Sequence, residues 1–149
     1  MQISRTIAAL PLLALLAGCI SDGAAYHIDG KEHSLSLVRE QRLPWNRQLD
    51  LYLVASRMPD CQRRHKLRSA PDEGLSIEVF ALDFNTYYLR QGGRVYRVDT
   101  QSCEGFQQLD KAPEGSALGV PAGRFATVDG TFRFVPAPAA PSPAPRPPV

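Results

Sequence analysis

The sequence predicts an all-β domain, a small antiparallel barrel or a two-sheet sandwich. Three observations lead there. From Tyr26 onward, apolar residues recur at every second position in short runs, the spacing of half-buried strands. Asp-Gly and Gly-Gly pairs stand between those runs, where hairpins turn. No segment carries a firm helical assignment.

Taken in order, Asp29-Gly30 lies between Tyr26-His27-Ile28 and Lys31-Glu32-His33, a first hairpin. Leu49, Leu51 and Leu53 alternate with Asp50, Tyr52 and Val54. Pro71-Asp72-Glu73-Gly74 reads as a turn, after which Ile77, Val79 and Ala81 alternate with Glu78, Phe80 and Leu82. Gln91-Gly92-Gly93 joins Tyr87-Tyr88-Leu89-Arg90 to Arg94-Val95-Tyr96-Arg97-Val98 as another hairpin. Glycine and proline punctuate 104–123, where a short helix or an irregular connection fits. A last hairpin turns at Asp129-Gly130. The total is about seven to nine short strands. The alternative is an α+β domain with a helix over 44–57, because Trp45 and Leu49 stand at helical spacing, although Leu49 to Leu53 suits a strand better.

The two ends differ in character from this middle. From Pro136 to Val149, seven of fourteen residues are proline, so 136–149 is expected to be a Pro/Ala-rich disordered tail. At the other end, Arg5 precedes a continuous apolar run from Ile7 to Leu16, and Leu16-Ala17-Gly18-Cys19 closes it. The run falls short of the ~20 apolar residues a transmembrane helix needs. Its layout is that of a secretory signal peptide, and the closing tetrapeptide resembles the lipobox of bacterial lipoproteins.

That resemblance implies a signal peptide over 1–18 and a lipidated first mature residue at Cys19, with diacylglycerol on the thiol and an acyl chain such as palmitate on the amine. Two or three chains hold a protein at a bilayer essentially permanently. Residues 19–25 are then expected as lipidated cysteine and tether, keeping the domain within about 20 Å of the membrane, and 26–135 as the β-rich globular domain. Ile20, rather than aspartate, after the cysteine implies the outer membrane, on its periplasmic face. Removing 18 of 149 residues leaves 131, room for one small domain. With Cys19 lipidated, Cys61 and Cys103 remain as an exported pair, expected as a disulfide.

Without Arg5 the chain has 16 basic and 15 acidic side chains, so bulk charge gives no support to nucleic-acid binding. Locally the balance differs. Eight basic residues stand between Arg39 and Arg68 against Glu40, Asp50 and Asp60, and Arg63, Arg64, Lys66 and Arg68 form a candidate face for phosphate or carboxylate partners. Charges on an exposed strand edge explain the same run. Tyr87, Tyr88 and Tyr96 flank Gly92-Gly93 and form a candidate aromatic contact, or else cross-strand packing pairs.

His27 and His33, with Asp29 and Glu32 between them, are ligand-type residues on opposite strands of one hairpin without a third partner in sequence, so no metal and no cofactor are expected. Catalytic motifs are missing from the sequence, and Glu78 and Asp83 are the one carboxylate pair worth testing for glycan hydrolysis. The expected function is therefore a non-enzymatic, lipid-anchored envelope protein, an interaction or assembly accessory whose partners are the membrane and an envelope protein or anionic envelope component. A small-ligand carrier or sensor requires a hollow interior. A cell-wall enzyme requires a cleft with converging carboxylates.

Overall fold

The structure, a computed structural model, describes residues 19–139. The expected signal peptide 1–18 and most of the expected tail lie outside the described residues. Two antiparallel sheets stack as a sandwich. The first has the order β1 (Ser21–Asp29), β2 (His33–Glu40), β3 (Gln48–Arg57), β4 (Cys61–Lys66), with the short β5 (Ala70–Pro71) also on β3. In the second, the order is β11 (Thr131–Pro136), β10 (Val120–Val128), β6 (Ser76–Ala81), β7 (Thr86–Gln91), β8 (Arg94–Asp99), β9 (Gln107–Gln108).

Alternation decides which face of each strand is buried. Leu35 and Leu37 of β2, Leu49, Leu51, Leu53 and Ala55 of β3, Ile77 and Val79 of β6, Tyr87 and Leu89 of β7, and Phe125 of β10 fill the space between the sheets, all at most 2% exposed. These side chains make one core, which is why the two sheets stay together. The 44–57 helix of the alternative reading is overturned: Gln48–Arg57 is the longest strand, since its leucines at 49, 51 and 53 all reach the core only in extended backbone.

The expected turns are present, but the first hairpin turns over Gly30, Lys31 and Glu32, with Asp29 paired to His33, so Lys31 and Glu32 are not in the returning strand as expected. The β10–β11 hairpin turns on Asp129 (φ 51°) and Gly130 (φ 75°), two consecutive left-handed residues that match the twist of the flanking strands. Between Pro121 and Gly123 the register slips, and a side chain on Gly123 would collide with the Val135 carbonyl and the Phe134 ring. That bare backbone lets Phe134 lie flat and stack on Tyr26 of β1, 4.6 Å between centroids, which closes one long side of the sandwich.

The opposite side is closed by the Cys61–Cys103 disulfide, Cα atoms 6.0 Å apart, and by His65, whose ring stacks on Phe106 at 4.7 Å. Between 104 and 119 the chain has only the two-residue β9 and a short 3-10 turn, Gly115–Leu118, and no α-helix occurs among the described residues. This connection covers the outer face of the second sheet. Leu118 and Leu109 pack with Phe80, Val95 and Tyr88 into a small second cluster, so Phe80, expected to face outward, is buried.

One boundary differs from the sequence expectation. Residues 19–25 are not a tether: β1 starts at Ser21, which pairs with Glu40, and Asp22 to Ala25 continue the ladder. The segment is polar and small, without the apolar alternation that marks the other strands, so its pairing is legible only once β2 is beside it.

Candidate functional site

The residues directly after Cys19 are bonded into the first sheet. Cys19 itself is exposed with a free thiol. The Ile20 carbonyl accepts from the Gln41 backbone N–H at 2.7 Å, and the Ile20 N–H donates to the Gln41 side-chain oxygen at 3.3 Å. The backbone is thus held to Gln41 one residue after the cysteine.

Behind this contact lies a buried cation. Arg39 continues the inward phase of Leu35 and Leu37, and is 4% exposed. Its Nε and Nη2 donate to the two carboxylate oxygens of Asp22, each at 2.7 Å, a bidentate fork. Nη1 donates to Asp72 and, at 3.3 Å, to the Thr127 hydroxyl, while the guanidinium carbon lies 4.0 Å from the centre of the Phe132 ring. Burial pulls the guanidinium toward neutrality, but the hydrogen bonds and charges of Asp22 and Asp72 outweigh it and hold its pKa above the ordinary value. One side chain therefore ties β1, β2, the turn before β6, β10 and β11 together.

Beside it runs the connection from β2 to β3, residues 41–47. Its backbone turns where the Asn46 N–H donates to the Leu43 carbonyl at 3.0 Å, and the Gln41 amide nitrogen donates to the Asn46 carbonyl at 2.7 Å. Trp45 stands at the tip, 78% exposed, with Leu43 44% exposed. Ile20, Gln41, Arg47, Leu49, Pro71, Asp72 and Glu73 line an open depression between this loop and the turn before β6.

The basic run divides. Strand β4 is an edge strand, and its ladder with β3 puts Arg64 and Lys66 on the outer face and Arg63 on the inner rim. Arg64 pairs with Glu40 at 2.7 Å and lies over the Tyr52 ring at 3.7 Å, and Lys66 reaches Asp50 at 3.3 Å. Arg63 faces Glu104 at 3.3 Å on the other side. Arg68 follows the strand, exposed, with its backbone N–H directed to the Tyr96 hydroxyl at 3.3 Å. The four residues expected as one cationic face do not share one. Asp50 collects Arg42 as well as Lys66, and hydrogen bonding from Ser69, then from Lys66, holds its carboxyl below the usual carboxylate range.

The aromatic contact expected at Gly92-Gly93 is corrected too. Tyr87 and Tyr96 are 2% and 3% exposed and belong to the core, because their strand phase points inward; Tyr88 is half-buried in the outer cluster. His27 is exposed on β1, whereas His33 is buried and its Nε2 lies 2.8 Å from the Thr100 hydroxyl. Burial, then the charge of Arg57, lowers the His33 pKa. Glu78 is engaged by Arg90 at 2.6 Å, and Asp83 accepts the backbone N–H groups of Asn85 and Thr86, each at 2.7 Å. These two carboxylates serve different local structures and do not converge on one cleft.

Compared with protein-family models, curated proteins and solved structures, the chain matches none. Its chemistry is argued from its own residues. Arg39, Asp22, Gln41 and Asp72 are the residues that sequence reasoning passed over. The signal for Arg39 was available: it is the third member of an every-second-residue series that begins Leu35, Leu37.

Proposed function

We propose that this protein is a lipid-anchored envelope component of a bacterial outer membrane, on the periplasmic face, acting without catalysis as an interaction or assembly accessory. The observation that carries the reading is the pair of hydrogen bonds between Ile20 and Gln41, directly after the lipobox cysteine. A lipid on Cys19 then has no free linker above it, and the sandwich stands on the membrane by its Cys19 end.

The direction of the last strand supports a two-ended role. Phe132 lies under Arg39, which holds Asp22, and Phe134 stacks on Tyr26, so β11 runs alongside β1 and away from Cys19. The proline-rich segment therefore starts on the membrane-distal course of the chain. The surface offered to a partner is the outer face of the first sheet, where Arg42, Arg64 and Lys66 surround Tyr52. Three cations against Glu40 and Asp50 leave one net positive charge there, enough to favour an anionic patch on an envelope protein over a neutral one. The carrier reading loses ground because core side chains fill the space between the sheets where it needs a hollow.

Crosslinking in living cells, followed by detergent extraction and mass spectrometry, tests this. Native protein should capture a stoichiometric envelope partner, and Cys19→Ser exported by an unrelated periplasmic signal should lose it. Equal capture by both forms, or a mature native protein without acyl mass, overturns the proposal.

A further inference from the structure

We infer that the 41–47 loop is a second membrane contact, which seats Trp45 and Leu43 in the phospholipid interface beside the lipid on Cys19. The inference rests on the lipid-anchor reading and adds to it a defined surface and orientation.

Position comes first. Ile20 is adjacent to Cys19 in the chain, and consecutive Cα atoms are only about 3.8 Å apart. Ile20 is bonded to Gln41 at both its N–H and its carbonyl, and the Gln41 side-chain amide holds the Pro44 and Asn46 carbonyls at 3.4 and 2.7 Å. One glutamine side chain thus couples Ile20, the residue after the anchored cysteine, to both flanks of Trp45. A bilayer that receives the acyl chains of Cys19 meets this loop.

The chemistry of the loop fits that surface. Trp45 is 78% exposed and Leu43 44% exposed on the same tight turn. Tryptophan is the residue favoured at the headgroup level of a bilayer, where its apolar ring is buried and its N–H stays wet. Arg47 is exposed, and among the described residues no carboxylate stands within salt-bridge distance of it, so its guanidinium is free for a lipid phosphate. Arg42 is largely exposed beside it and shares Asp50 with Lys66. Glu73 and Asp129 are exposed at the same end and oppose anionic lipid, so the apolar pair, rather than net charge, carries the contact.

Trp45 is the sole tryptophan of the chain, which makes the native protein its own probe. Mature protein is reconstituted into phosphatidylethanolamine and phosphatidylglycerol vesicles, with and without lipids brominated near the headgroup, and the same preparation is weighed by mass spectrometry. The expected result is an acylated protein whose Trp45 emission shifts to the blue on reconstitution and is strongly quenched by the brominated lipid. In an Arg47→Gln variant compared without acyl chains, as Cys19→Ala, vesicle binding should fall about fivefold, the weight of one cation near an anionic surface. Acylated protein with solvent-like, unquenched emission overturns the inference and leaves the anchor intact. A blue shift without quenching places Trp45 against protein and also overturns it. An unacylated product overturns the anchor reading, and this inference with it.

Discussion

At the Cys19 end the two sheets are joined by a buried ion cluster, Arg39 with Asp22 and Asp72, whereas at the far end they are joined by the Cys61–Cys103 disulfide and by neutral or singly charged hydrogen bonds. The far-end bonds run from His33 to Thr100 and from Arg57 to Asn85, at 2.8 and 2.7 Å. The covalent link acts largely through the unfolded chain, by shortening it, and is indifferent to salt. The ion cluster acts only in the folded state, where Asp22 and Asp72 offset the buried charge of Arg39. A reducing environment therefore attacks the far end and leaves the Cys19 end in place.

The largest effect is expected from the covalent end. Closing a loop with a sequence separation of 42 is worth about 4 kcal/mol in the chain-entropy model, so Cys61→Ala with Cys103→Ala should lower urea-unfolding stability by roughly that amount. Amide exchange sharpens the comparison. The double variant should speed exchange most in Cys61–Lys66 and around Thr100, and least at Ile20 and Gln41. Uniform acceleration would show that the ends are not separately secured.

The ion cluster comes next, and its two halves are unequal. Asp22→Asn with Asp72→Asn leaves the Arg39 guanidinium buried without a counter-charge, which should cost about 3 kcal/mol. Arg39→Met leaves two carboxylates that are 46% and 43% exposed and can return to water, and it keeps an apolar body over Phe132, so about 1 kcal/mol is expected. Equal losses in thermal or urea unfolding would mean that the cluster contributes through packing and not through charge.

This asymmetry also shows what was readable in the chain. Strong alternation exposed β3 and β6, and the Asp-Gly and Gly-Gly pairs marked three hairpins, because those signals are local. Strand β1 was not readable: Ser21 to Ala25 bury little, and their order comes from β2 and from the Arg39 fork. Phe80 was misplaced because its cover, Leu109 and Leu118, arrives from a connection about thirty residues downstream. The basic run read as one face because neighbours in sequence were counted together, although a strand sends successive side chains to opposite sides.

Mild acid should also distinguish the ends. His33 is held neutral by burial and by Arg57, so its folded pKa is below the unfolded value near 6.5. As pH falls through 6.5, the unfolded chain takes up a proton that the folded imidazole resists, and stability declines until the folded value is passed. Above 6.5 this group has no effect. His33→Gln should flatten the stability profile in this window while leaving the loss below about pH 4, which comes from Asp50, Glu78, Asp83 and Asp99, in place. An unchanged slope near pH 6 in the variant would assign the mild-acid transition elsewhere.

The smallest effect separates a buried cation from exposed ones of the same kind. Arg63 and Arg64 have side chains 60% and 49% exposed, and each meets a carboxylate that is itself well solvated. Such pairs contribute at most about 1 kcal/mol, because water screens the attraction and two long side chains must be ordered to make it. Arg63→Gln with Arg64→Gln should therefore leave the thermal midpoint nearly unchanged. The two positions then differ in what they do to binding. If the outer face is the partner surface, Arg64→Gln alone should weaken capture and Arg63→Gln alone should not, since Arg63 lies on the inner rim facing Glu104. Equal weakening by both would move the contact to the β4 edge itself, where the strand's free backbone groups, rather than Tyr52 and its cations, meet the partner.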